Sequence, residues 1–417
     1  MDSILPYFSF LKRGVARSTA GGGDGRIDLP SVEIHNVETA PDKRPRTLKH
    51  LLRANHVNHS LLYHDLRYDN HMSHVLSAAY LLGANADQLH TIYDAEAKEL
   101  EPWQPSPGEV SLEDWRDSLG RKEYQRAYVD FFEDMLALRH QYNWKKVVEN
   151  FMFDGKEPMA HCLVAGLGHP LIHLAYAYEV DNKEVAMEAL GLTAVQYNFM
   201  HKYLDDPSYT RPPPEGKGAS SPLELLDRMS ADSRLAKLFK EPSFDNLSQL
   251  FDKHEDLVLE YWNAWDISSN PTQQFQLSQE AAVSLLVATV APGTHAYNFF
   301  TVHLLTTSHA VRVLLPLVPQ QFQIPLVRQW WLLVIAVYAS LLCPKIDPDY
   351  VRPGDLVKGR QWNYVVDKAL NGPYATDAHF VKAVRAMKEA AQTWGDVHEH
   401  YLASAIRFVD DFAGWAF

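Results

Sequence analysis

The residues of this chain best suited to chemistry are histidines at short helical spacing. His71 and His74 stand three apart in YDNHMSHVLSAAYLLGA, residues 68–84, and on a helix both leave one face. Two imidazoles on one face can bind a metal, but a lone His-x-x-His also fits ordinary hydrogen-bonded helical histidines. The stretch carries its own helix signals. Asp69 or Asn70 can cap the start, and Val75, Leu76, Ala79, Tyr80 and Leu82 form an apolar side. Gly83 then ends the run.

Further histidines recur downstream. In MAHCLVAGLGHPLIHLAYAYE, residues 159–179, Pro170 suits the first position of a helix. That makes His169 its cap and His173 a first-turn residue. THAYNFFTVHLLTTSHAVRVLLPLV carries His303 and His309, and DAHFVKAVRAMKEAA places Lys382 one turn after His379. Ligands from several non-contiguous helices are how bundles build metal sites. A carboxylate-bridged di-iron centre needs paired Glu-x-x-His motifs, which the chain lacks. A metal-dependent hydrolase on a helical scaffold would use a His-Asp pair, and His64-Asp65 supplies one. Gly166-Leu167-Gly168 lacks the preceding strand and third glycine of a dinucleotide-binding turn.

The elements that must position these residues read as helices almost throughout. The expected fold is all-α: one large multi-helix bundle with inward-facing histidines. Residues 1–45 read as an N-terminal arm, extended or flexible, with glycines at 21–25, and residues 46–417 as the helical catalytic domain. A helical pair is expected over 111–153 and a helix over 185–203. The stretch 205–222 holds five prolines and reads as a loop or lid. The most apolar segment, Trp330 to Cys343, is expected to be too short to span a bilayer and to form a buried helix.

Composition narrows the function classes. With 417 residues and 46% apolar side chains the chain can bury a large interior. A formal net charge of −13 and the lack of a basic run argue against nucleic acid or stable membrane association as partners. Two cysteines, Cys162 and Cys343, form no disulfide framework and suit a reducing, cytoplasmic setting.

Four pieces in this order, NHMSHVLSAAYLLGA, GLGHPLIHLAYAYE, NFFTVHLLTTSHAVRVLLPLV and DAHFVKAVRAM, resemble the fungal questin oxidase-like family, over about His56 to Phe408. The resemblance implies a tailoring oxygenase of aromatic polyketide pathways. Such an enzyme opens an anthraquinone-type ring by cleaving a C–C bond, through Baeyer–Villiger-like oxidation or dioxygenation. It implies a mononuclear non-haem Fe(II) that uses O2, held by histidines and by a lysine carboxylated at its amine. Carried over by motif, the metal positions are His71, His74, His169, His173, His303 and Lys382, more donors than an iron that keeps open positions needs, so one or two stand behind the ligands or face substrate. His309 and His379 are expected as general bases or as groups that orient a quinone oxygen. NADPH stays open as a co-substrate. Tyr176, Tyr178, Phe299, Phe300, Trp330 and Trp331 could floor a pocket for a flat polycycle, or be plain core. Glu179 could orient an imidazole from behind. The family commonly has His-Asn-His where this chain has Asp69-Asn70-His71.

Overall fold

The computed structural model describes residues 26–213, 216 and 218–417. The glycines expected to be flexible at 21–25 lie outside these. Helices carry most of the described chain, and its only sheet is a two-stranded hairpin, Leu62–Tyr63 against Tyr68–Asp69. The fold is all-α, as the periodicity implies. Residues 26–42 run extended along the bundle, with Ile27 and Val37 buried. Their backbone is tied down where His35 N donates to the Glu179 carbonyl (2.7 Å).

The first helices are α1 (Lys43–Asn58), α2 (Met72–Leu82) and α3 (Ala86–Glu96). They are followed by α4 (Gln125–Asp134), α5 (Ala165–Glu179) and α6 (Lys183–Gln196). The second half contributes α7 (Asn246–Ala264), α8 (Pro271–Val287), α9 (Phe299–Leu314) and α10 (Gln323–Ser340). The last two are α11 (Ala378–Trp394) and α12 (His400–Asp411). Shorter helical turns join them.

Four of these helices enclose one space. α2 packs on α5, α5 on α9, α9 on α11, and α11 back on α2. Helices α2, α5 and α9 can be central because they are apolar nearly all round, whereas α11 is amphipathic and turns its apolar side to the ring. Ten of the eleven residues of α2 are buried. Helix α10 lies outside this ring, against α7 and α9. It starts earlier than the sequence suggests, because Pro325 sits in a first turn, where no N–H is needed. The resulting stretch, Gln320–Ser340, is 21 residues long and apolar enough to cross a membrane, yet 83% of its most apolar window is packed inside the protein.

Two other expectations shift. The helix expected over 185–203 ends at Gln196. The pair expected over 111–153 is one α-helix and one short helix, each closed by a π-turn at Met135–Arg139 and Glu149–Phe153.

The chain enters α5 through a left-handed kink at Gly166, Leu167 and Gly168, with φ of 54°, 58° and 80°. A Cβ on Gly168 would meet Thr307 Cγ2 of α9 at 2.3 Å. Only glycine fits this close approach at positive φ. The regular helix therefore begins at His169 and Pro170, and the kink aims His169 inward. Gly168→Ala is expected to destabilise the protein by about 2–4 kcal/mol, combining left-handed strain with overpacking. Urea unfolding measures it, and an unchanged midpoint would contradict this account of the kink.

Candidate metal centre

At the centre of the ring formed by α2, α5, α9 and α11, four histidines meet. His71, His169, His303 and His379 each offer one ring nitrogen, and all four nitrogens lie within 4.8 Å of one another. His169 Nε2 is 2.9 Å from His71 Nε2, and His379 Nε2 is 3.2 Å from His303 Nε2. Each side chain comes from the N-terminal part of its helix. His71 is the cap of α2, His169 the first residue after the kink, His379 the second residue of α11 and His303 the fifth of α9. The caps are built locally. Asn70 Oδ1 accepts from Met72 N (2.9 Å), and Asp377 Oδ1 accepts from His379 N and Phe380 N (2.9 Å each). Asn298 does the same for Phe300 and Thr301 at the start of α9.

The hydrogen bonds around the rings set which nitrogen is free. His303 Nδ1 donates to the Phe299 carbonyl (2.8 Å) and His169 Nδ1 to the Gly166 carbonyl (2.5 Å). Their Nε2 atoms therefore carry lone pairs and face other ring nitrogens. Burial keeps the rings neutral. It holds His71, His303 and His379 well below the usual imidazole range and takes His169 down to about 3. The nearby Lys382 charge acts in the same direction. The positive ends of four helices also disfavour imidazolium here. The two Nε2 lone pairs of His169 and His303, clustered with two further neutral rings, are the start of a donor set for a cation. Imidazole–metal bonds of about 2.1 Å put nitrogens across one ion up to about 4.2 Å apart, close to the observed spread.

Lys382 stands one turn after His379 and is 1% exposed. Its Nζ has no hydrogen-bond partner. Burial pushes the amine down to about 7, although Asp377, Glu96 and Asp69 pull the other way. A large share of this lysine is therefore an uncharged nucleophile at neutral pH.

The structure brings His71, His169 and His303 together and adds His379 to the nitrogens, and Lys382 is near enough for its charge to act on all four rings. His74 and His173 stand beside the quartet. His71 and His74 do share a side, with ring centroids 5.5 Å apart, but only His71 is among the four converging nitrogens. His74 Nε2 instead meets His173 Nδ1 at 3.0 Å, and His173 Nε2 meets Glu188 Oε2 at 2.8 Å. Glu188 also holds Ser73 Oγ (2.8 Å) and His56 Nδ1 (3.0 Å), and His56 Nε2 meets Glu133 Oε1 at 3.0 Å. Burial works against charge on both His56 and Glu188, yet their partners prevail: Glu133 and Glu188 raise His56 to about 10, and His173 and His56 lower Glu188 to about 2.

Glu188→Ala removes one of the two carboxylates that hold the buried His56 charge, leaving Glu133 alone, and is expected to cost up to about 3 kcal/mol at pH 7. A raised histidine stabilises the fold fully below its ordinary 6.5 and loses that contribution as pH rises through about 10. The gap between wild type and variant, read by urea unfolding, should therefore narrow from pH 7 to pH 10. An equal gap at both pH values would contradict the charged pair.

His309 lies elsewhere. Six residues from His303, it leaves another face of α9, and its Nε2 accepts from Arg385 Nη1 (2.8 Å). Arg385 in turn grips Glu179 with both Nη atoms (2.8 and 2.6 Å). Glu179 therefore backs an arginine and His309 rather than a member of the quartet. His64 and Asp65 form a turn between the two short strands, and the half-exposed His64 ring meets Glu101. Trp330 and Trp331 are fully buried core, while Phe299 packs on two of the quartet rings, 4.5 Å from His379 and 5.0 Å from His303. Glu188, His56 and Arg385 carry no spacing signal, and only the folded chain joins them to these histidines.

Comparisons with known proteins identify the family of this chain. Residues 68–387 match the questin oxidase-like family, a span that contains every member of the quartet and Lys382. A Baeyer–Villiger oxidase of Emericella nidulans is 23% identical over 87% of this chain and 85% of its own length. One from Pestalotiopsis microspora is 24% identical over the same shares. A questin oxidase of Aspergillus terreus is 26% identical over 39% of this chain and 37% of that protein. The chain belongs to the questin oxidase-like family and is an oxidoreductase.

Proposed function

We propose that this protein is a non-haem iron-dependent oxygenase that cleaves a C–C bond of an anthraquinone-type polyketide. The observation that carries the iron reading is the quartet of ring nitrogens within 4.8 Å, two of them with Nδ1–H bound to carbonyls and Nε2 left without a proton to share. His71, His169, His303 and His379 would hold Fe(II). Iron bound there supplies the activation of O2 that an organic ring alone cannot provide. The substrate class is taken from the relatives, which are named for questin oxidation and Baeyer–Villiger oxidation.

Lys382 is the second support. Its buried, partnerless amine can add CO2 to give a carbamate and one released proton. The carbamate replaces an unsatisfied donor with an anionic oxygen donor, which suits a dication among neutral imidazoles. His74 is the residue we assign to orienting a phenol O–H. Donation from its Nε2 to His173, and from His173 to Glu188, leaves a lone pair on His74 Nδ1. That atom is buried and has no partner. Burial and the nearby Lys382 charge hold this ring well below the usual imidazole range, so it would accept a hydrogen bond from a phenol O–H rather than become charged. His309 has its Nε2 engaged by Arg385, and His379 serves as a donor to the metal. Residues 46–417 act as one catalytic domain. Its two free, buried cysteines suit the cytoplasm.

Oxygen uptake by iron-loaded protein with 1,8-dihydroxyanthraquinone, with and without NADPH, tests the reading. Ring-cleaved product carrying label from 18O2 is expected, one atom for a Baeyer–Villiger course and two for dioxygenation. Iron-loaded protein that consumes no oxygen with this or related hydroxyanthraquinones would contradict it.

A further inference from the structure

The quartet is not equally closed on all sides. His303 is fully buried and His169 is 4% exposed, while His71 and His379 are each 9% exposed. The residual access therefore lies on the side of His71 and His379. Aromatic rings gather there. Phe299, half-buried at the first turn of α9, contacts His379 and His303. The Phe417 ring lies 4.9 Å from Phe299 at 32° and is 82% exposed. Trp415 stands 6.1 Å from His379 and 6.2 Å from Phe299.

The segment bearing Trp415 and Phe417 is fixed in place. Phe299 N donates to the Ala416 carbonyl (2.7 Å), and Ala416 N donates to the Tyr297 carbonyl (2.8 Å). Trp415 Nε1 donates to Asp377 Oδ2 (2.9 Å), on the same carboxylate that caps α11 and receives His379 N. The segment is thus anchored to the two helix starts that deliver His303 and His379. A large ring left this exposed on ordered backbone, in line with a ring that touches the quartet, is an unfilled stacking face.

We propose that Phe299, Trp415 and Phe417 form the rim that receives the flat aromatic substrate and sets its ring beside His379. This rests on the substrate class proposed above. Stacking is sequence-blind but shape-selective: it favours a planar polycycle over an aliphatic acid or a sugar. A second opening competes for the role. A cleft of about 260 Å³, lined by Gly166, Leu167, Phe199, Phe244, Phe251 and Leu333, lies beyond the Gly166–Gly168 kink. Its wall includes Gly166, whose carbonyl holds His169 Nδ1, the ring nitrogen turned away from the quartet.

The test is anaerobic titration of the iron-loaded full chain with 1,8-dihydroxyanthraquinone, read by tryptophan fluorescence quenching and paired with steady-state kinetics. Phe417→Ala changes an exposed side chain, so it should fold and keep its iron. It is expected to weaken binding about three- to tenfold, the scale of one lost aromatic contact. KM should rise by the same factor, with kcat changed less than about twofold. Phe299→Leu should weaken binding at least as much. Phe199→Ala, in the competing cleft, should bind as wild type. Wild-type binding in Phe417→Ala and Phe299→Leu, with loss in Phe199→Ala, would overturn the rim while leaving the substrate class standing. No binding by the wild type would overturn the substrate class and the rim with it.

Discussion

Alanine at any one of His71, His169, His303 or His379 is expected to remove bound iron and ring cleavage together. The four ring nitrogens share one point, and each imidazole is held neutral by burial, so none can be replaced by a neighbour's flexibility. Groups that merely orient a metal ligand are worth about 10–100-fold in affinity or activity. A direct donor should exceed that. Iron after dialysis should fall below about a tenth of the wild-type content, and turnover should fall more than about 100-fold. His309→Ala is the contrast. It removes a partner of Arg385, which still grips Glu179, so iron content should match wild type. Equal iron in His303→Ala and wild type would show that the quartet is structural.

Lys382→Met should separate stability from function. In metal-free protein the wild-type amine is a buried polar group with no partner. Methionine keeps much of the stem and removes that group, so the variant should be more stable by about 1–3 kcal/mol at pH 7. The sign of its pH dependence follows from the depressed amine, about 7 folded against 10.5 free. Between those values the unfolded chain binds more protons, so the lysine's contribution improves as pH rises. The variant's advantage in urea unfolding should therefore shrink from pH 7 towards pH 10.5. In the iron-loaded state the order reverses: Lys382→Met should lose most of its iron and at least about tenfold of its turnover. Bicarbonate should help only wild-type apoprotein reconstituted after CO2 depletion. Wild-type iron and turnover in Lys382→Met would remove the lysine from the centre.

Much of this was legible in the sequence because helical periodicity and local punctuation agree. Gly83 ends α2 in the left-handed region, and Pro170 opens the regular part of α5. The motifs with His71, His169, His303 and Lys382 converge because each sits near the start of a helix of one closed ring. The chemistry of the remaining histidines was less legible. Spacing puts the His74 ring beside His71, with 5.5 Å between centroids, but it does not say which ring nitrogens turn to one point. His379 and His303 face each other across two helices, a relation with no sequence signature. The partners of His173 and His309, Glu188 and Arg385, lie 15 and 76 residues away. Such pairs are fixed by packing alone.

The central claim is that one iron sits among four imidazoles. Crystals of protein purified without added metal, measured on both sides of the iron absorption edge, test it most directly. The account predicts one anomalous peak, strong above the edge and lost below it. It should lie about 2.1 Å from a ring nitrogen of each of His71, His169, His303 and His379. No peak at that point, or an iron peak bound by other residues, would contradict it.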